Sequence, residues 1–209
     1  MRVLVACEES QEVCKAFRAR GHEAYSCDIQ DCSGGHPEWH IKADALELIK
    51  LKWDLIIAHP PCTYLTSCGA QHLFNSAHQV KDQARYEKMM QAKAFFLKFY
   101  NAGCERIAIE NPAPMHIAGL PPYSQIIQPY MFGDPYKKRT CLWLKGLPPL
   151  FATELVEPLG CWVNTGKCYT GRSTNRTKLY SPGFTGHRSA KLRSKTFTGI
   201  ARAMAEQWG

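Results

Sequence analysis

The chain has 209 residues, 45% of them apolar and 21% charged, and a formal charge of +8. That length suits one well-cored domain and is short for two, and no apolar run approaches the ~20 residues of a membrane-spanning helix. Met1-Arg2-Val3-Leu4-Val5 runs into Glu8-Glu9, which is wrong for a secretory signal, so a cytoplasmic protein with no membrane partner is expected.

Val3 to Ala6 is a short apolar strand candidate that stops at Cys7-Glu8-Glu9-Ser10. Gln11 to Arg20 places Val13, Ala16 and Phe17 on one helical face, with Ser10 as the expected N-cap and Gly21 beyond the end. Ala24 to Cys27 reads as a second strand ending at Asp28, followed by a Gly/Pro-rich loop from Asp31 to Glu38. Trp39 to Lys42 is a third strand candidate before Asp44, and Trp53 to Ala58 the clearest strand, stopped by His59-Pro60-Pro61-Cys62. A long helix is expected from about Ala77 to Asn101, then strands at Arg106–Ile109 and Cys141–Leu144.

Strands alternating with helices predict a parallel α/β sheet, in which ligands sit beyond the carboxyl ends of the strands. Glu8 and Glu9, Asp28, Asp44, Cys62 and Glu110 each follow a strand candidate, so one sheet edge would collect them. An acid at the tip of the second strand suits a ribose diol, which fits Asp28, and Asp44 could then face an adenine amino group. Pro60-Pro61 rules out a helix interior or central strand and holds Cys62 on a stiff turn, where a thiolate can attack an electrophilic carbon. A carboxyl at Glu110 could bond a pyrimidine ring nitrogen and amino group and draw electrons from the ring.

Ten cysteines are scattered with no Cys-x-x-Cys pair, so a disulfide framework is not expected. Cys27, Cys32, His36 and His40 fit no zinc spacing, and no metal is expected. From Pro158 to Ala205 nine Lys or Arg occur without an acid: Lys167, Arg172, Arg176, Lys178, Arg188, Lys191, Arg193, Lys195 and Arg202. Trp162, Tyr169, Tyr180 and Phe184 are interleaved with them, which predicts a surface for nucleic acid.

Asp54-Leu-Ile-Ile-Ala-His-Pro-Pro-Cys62 and Ile107-Ala-Ile-Glu-Asn-Pro112 resemble the nucleophile and Glu-Asn motifs of the cytosine-C5 DNA methyltransferases, in a short bacteriophage-like form. Tyr130 to Thr140 is similar to that family's Gly-x-Pro segment with basic residues, and Thr198 to Ala205 to its closing helix. The resemblance implies a Rossmann-like methyltransferase sheet with helices on both faces. It implies that Cys62 adds to C6 of a flipped-out cytosine in DNA, Glu110 holds N3 and the amino group, and Lys138 or Arg139 steadies the base or the cysteine. S-adenosylmethionine is the implied methyl donor, with Glu8, Glu9, Ser10, Asp28, Ile29, Asp44 and Pro60 at its site. Residues 1–150 are then the catalytic domain, 151–195 a short basic DNA-contacting segment, and 196–209 a helix packing back on the catalytic domain.

The chain departs from that pattern in a first turn without glycine and in a very short stretch between Gly146 and the final helix. The alternatives are an amino-group (N4 or N6) DNA methyltransferase, a pyrimidine-modifying enzyme acting on free nucleotide or RNA, and a catalytically silent DNA-binding protein.

Overall fold

The computed structural model describes residues 1–75, 79–162, 168–169, 178–179 and 193–209. The strands are β1 (Arg2–Ala6), β2 (Glu23–Asp28), β3 (His40–Lys42), β4 (Leu55–Ala58), β5 (Ile107–Pro112), β6 (Gln125–Ile127), β7 (Tyr136–Lys137), β8 (Thr140–Lys145), β9 (Gly160–Cys161), β10 (Cys168–Tyr169) and β11 (Lys178–Leu179). The helices are α1 (Glu12–Ala19), α2 (Ala45–Leu48), α3 (Ala70–Leu73), α4 (Gln83–Tyr100) and α5 (Thr198–Trp208).

Seven strands form one sheet in the order β3-β2-β1-β4-β5-β8-β6. β1 to β5 pair in parallel, and β8 runs antiparallel between β5 and β6. Strand side chains alternate between faces, and here both faces are apolar. Val3, Val5, Leu55, Ile57, Ala108 and Leu142 pack with Val13 and Phe17 of α1 and Ile200, Met204 and Trp208 of α5. Leu4, Ile56, Ile107, Ile109 and Trp143 pack on the other side with Met89, Phe96 and Phe99 of α4. Helices cover both sides of this Rossmann-like sheet, which is why its central strands read as unbroken apolar runs. Each large side chain so buried contributes about 1.5–3 kcal/mol.

The strand order reverses between β1 and β4, opening a crevice at their carboxyl ends where ligands of such sheets sit. No described helix is long and apolar enough to cross a membrane.

Several expectations are corrected. Helix α1 starts at Glu12 with Gln11, not Ser10, at the N-cap position, and Gln11 makes no side-chain cap bond. Glu8 serves the helix end instead, its carboxylate accepting from the N–H groups of Val13 (2.7 Å) and Cys14 (3.2 Å). Helix α4 starts at Gln83 rather than near Ala77, because Asp82 caps it through the Arg85 N–H at 2.9 Å. Trp39 stands in a 3-10 turn with its ring stacked on His36, outside β3. Strand β6 was not anticipated. Among the described residues seven cysteines are free, and Cys161 is disulfide-bonded, a bridge the sequence did not lead us to expect.

Candidate active site

The first turn, Cys7 to Gln11, solves its lack of glycine by force. Cys7 and Gln11 both adopt φ of 60°, the left-handed conformation that glycine usually supplies, at a cost of about 1–2 kcal/mol each. Bonds around the turn offset it. The Glu8 N–H donates to the Cys27 carbonyl at 3.0 Å. The Gln11 amide donates to the His36 carbonyl (2.8 Å) and Ser26 Oγ (3.2 Å), while its oxygen accepts from the His36 N–H (3.0 Å). Gly34 closes over the turn; a Cβ there would lie 2.5 Å from the Ser10 carbonyl oxygen and from Gln11 Cβ.

The residues expected around a cofactor divide into two groups. Glu8, Glu9 and Ser10 are buried and act as supports: Glu8 holds α1, and Glu9 accepts from the Ser33 hydroxyl. Pro60 likewise contributes a carbonyl that accepts from Asn111 Nδ2 at 2.8 Å. Asp28, Ile29 and Asp44 stand open. Asp28 Oδ1 accepts from the Gln30 N–H and Asp44 Oδ1 from the Leu46 N–H, each at 2.9 Å, and neither Oδ2 is bonded among the described residues. Ile29 is 74% exposed. Burial pushes the Cys7 thiol up, and the charges of Asp28 and Asp44 push it further, so both acids bear on the tip of β1.

Cys62 follows Pro60-Pro61 at the exit of β4. Its carbonyl accepts from the N–H groups of Leu65 (3.0 Å) and Thr66 (3.2 Å), which ties the turn down. Burial raises its thiol above the ordinary value and so does the charge of Glu110, while Lys138 and Arg193 pull it down. The resting group is therefore a thiol, with two cations placed to hold a thiolate.

Glu110, near the end of β5, is buried and paired with a residue that the sequence did not bring forward. His59 Nδ1 lies 3.2 Å from Glu110 Oε2, with 12% and 9% of the two side chains exposed. The Thr196 hydroxyl donates to the same oxygen at 3.2 Å. Oε1 has no hydrogen-bond partner among the described residues. Burial works to raise the Glu110 carboxyl, but the bond and charge of His59 prevail, with Lys138 and Thr196, and hold it at about 2. For His59 burial works downward, yet the bond and charge of Glu110 and the charge of Glu8 raise it above its ordinary value against Lys138. Its Nε2 is buried and has no hydrogen-bond partner among the described residues.

Of the basic pair, Lys138 belongs to this cluster and Arg139 does not. Lys138 acts on Cys62, Glu110 and His59, and its ammonium donates to the Lys195 carbonyl at 3.4 Å and lies 5.8 Å from the Phe197 ring. Arg139 donates to the Tyr123 hydroxyl at 3.3 Å. Phe197 meets the Trp162 ring at 4.8 Å, and Trp162 meets Tyr136 at 4.9 Å. Of the residues expected to contact nucleic acid, Arg193 stands beside this cluster; the side chains of Lys167, Arg172, Arg176, Lys178, Arg188 and Lys191 lie outside the described residues.

A cavity of about 370 Å³ opens between the segments that follow β4 and β5, lined by Ser67, Phe74, Met115 and Ile117 among others. Another, of about 560 Å³, lies on α1 beside His36 and Trp39, on elements that carry none of the groups around Cys62.

No protein-family model and no curated protein matches the chain. Among solved structures it is similar to a prophage-encoded protein of E. coli assigned as a DNA modification methyltransferase, with 14% identity and a TM-score of 0.47 over 77% of this chain and 53% of that one. It is similar to the Entamoeba histolytica methyltransferase EhMeth, with 12% identity and a TM-score of 0.46 over 75% and 57%. It is also similar to the S. pombe Dnmt2 methyltransferase, with 13% identity and a TM-score of 0.40 over 71% and 51%. The chain thus spans about half the length of each.

Proposed function

We propose that the protein is an S-adenosylmethionine-dependent methyltransferase acting on cytosine C5 in DNA, with Cys62 as nucleophile. The observation that carries this is the meeting, at one sheet edge, of a thiol flanked by two cations with a buried carboxylate that leaves one oxygen open. That is the pair needed to add to a pyrimidine ring and to hold its polar edge. The Pro-Pro-Cys and Glu-Asn-Pro segments that resemble the cytosine-C5 enzymes are the segments that build it.

Cys62 gives up its proton to water and adds to ring C6, with Lys138 and Arg193 holding the negative charge until the C–S bond forms. Glu110 grips the amino group through Oε1. Addition across the C5–C6 bond makes C5 electron-rich, and later loss of the C5 proton expels Cys62 as thiolate. The base must leave the duplex for Cys62 to reach it. S-adenosylmethionine, when bound, supplies an electrophilic methyl group. The first turn and the open groups beside it fit that cofactor: Asp28 has a free oxygen for the ribose, Asp44 one for the adenine amino group, and exposed Ile29 an apolar face for the ring. Glu8, Glu9 and Ser10 shape this turn.

The test is expression of wild type and Cys62→Ser in a host free of cytosine methylation, with nucleoside mass spectrometry of total DNA. We expect 5-methylcytosine with wild type alone. An N-methylated base made by both proteins, or unmodified DNA from soluble wild type, would overturn the proposal.

A further inference from the structure

A carboxylate only accepts hydrogen bonds. The edge of cytosine that meets Glu110 in the proposed site carries a donor, the amino group, and an acceptor, N3. Glu110 is ionised in the neutral range, so it matches the donor and opposes the acceptor until a proton lies between them. A group able to supply one stands beside it, the His59 imidazole nitrogen 3.2 Å from Oε2. On the far side of the same ring, Nε2 is buried without a hydrogen-bond partner among the described residues.

We propose that His59 is a positioning residue that stores the proton which pyrimidine N3 takes through Glu110 when Cys62 adds to C6. The proposal rests on the cytosine-C5 reading above and deepens it. As the C6–S bond forms, the negative charge of the thiolate passes into the ring. The His59 Nδ1–H bond breaks and an O–H bond forms on Glu110. A half-turn of the carboxyl presents that O–H to the ring, where it breaks as N3–H forms. His59 goes from cation to neutral, Glu110 ends as it began, and the proton cancels the charge brought by sulfur. Expulsion of Cys62 runs the transfer backward and recharges His59.

The groups around His59 favour this exchange. Glu8, beyond β1, and Glu110, on β5, both favour its charged form, while Lys138, from the segment between β7 and β8, opposes it. After transfer the neutral ring keeps its Nε2–H, still under the charge of Glu8. Before the transfer Thr196, ahead of α5, donates to the same oxygen that faces His59.

His59→Gln preserves a side chain able to bond Oε2 but stores no proton. The readout is kcat for 5-methylcytosine formation against pH, with S-adenosylmethionine affinity and thermal melting measured alongside. Wild-type kcat should fall as pH rises through the raised value of His59. The variant should be about 100-fold slower, lack that alkaline fall, and bind the cofactor unchanged. A variant within about 3-fold of wild type, or one that keeps the alkaline fall, overturns the proton store while leaving the cytosine-C5 reading intact. Should His59→Gln fail to fold, NMR titration of the wild-type imidazole decides: His59 neutral at pH 6 overturns the proposal. Wild type that forms no 5-methylcytosine at any pH overturns the functional reading instead.

Discussion

Acid should unfold the protein through Glu110. Its carboxyl is held at about 2 in the folded chain against an ordinary value of 4.5, a difference worth about 3 kcal/mol. Because the folded value is the depressed one, this stability is present above 4.5 and is lost as pH falls toward 2. About 2 kcal/mol of it should be gone by about pH 3. His59 has the opposite sign: its folded value is raised, so its contribution is complete below 6.5 and is lost as pH rises through the folded value. Both limbs report one contact, the buried 3.2 Å pair, neutralised from either side. Urea unfolding of wild type and Glu110→Gln across the pH range measures it. Wild type should be most stable between the ordinary values of the two groups, 4.5 and 6.5, and the variant should show neither limb. If the two proteins lose stability in parallel on acidification, the pair does not hold the carboxyl down and the reasoning fails.

Gly199→Ala offers a test in which propensity and packing disagree. Alanine improves a helix by about 1 kcal/mol over glycine, but a Cβ at Gly199 would stand 1.8 Å from the Phe132 carbonyl oxygen. We expect a loss of at least ~2 kcal/mol, seen as a lower melting temperature; a more stable variant would refute the close approach. Lys138→Met removes a cation that favours the Cys62 thiolate, so alkylation of Cys62 at pH 8, followed by peptide mass spectrometry, should slow several-fold. An unchanged rate would place the ammonium elsewhere.

The sheet edge was legible because the central parallel strands β1, β4 and β5 are apolar runs cut short by polar residues, a signal that needs nothing beyond the strand itself. Strand β6 escaped because three residues carry too little pattern. The capping of α1 from Glu8 escaped because the carboxylate reaches past the residues beside the helix end. Lys138 and Arg139 looked equivalent as a basic pair, yet the charge of Lys138 bears on Cys62 while Arg139 donates to the Tyr123 hydroxyl, a division set by the fold. His59 was hidden by its context. Before two prolines it reads as turn, and its partner lies 51 residues away on a strand whose neighbour only the fold determines. The left-handed Cys7 and Gln11 were equally invisible, since neither residue type advertises that conformation.

The rings of Trp162 and Phe197 meet at 4.8 Å, which brings together two points 35 positions apart in the sequence. Closing such a loop costs free energy that grows only with the logarithm of its length, about 0.6 kcal/mol for each doubling. Arg193, four residues before Phe197, lies within electrostatic reach of Cys62, so the contact that seats Phe197 also sets a cation near that thiol.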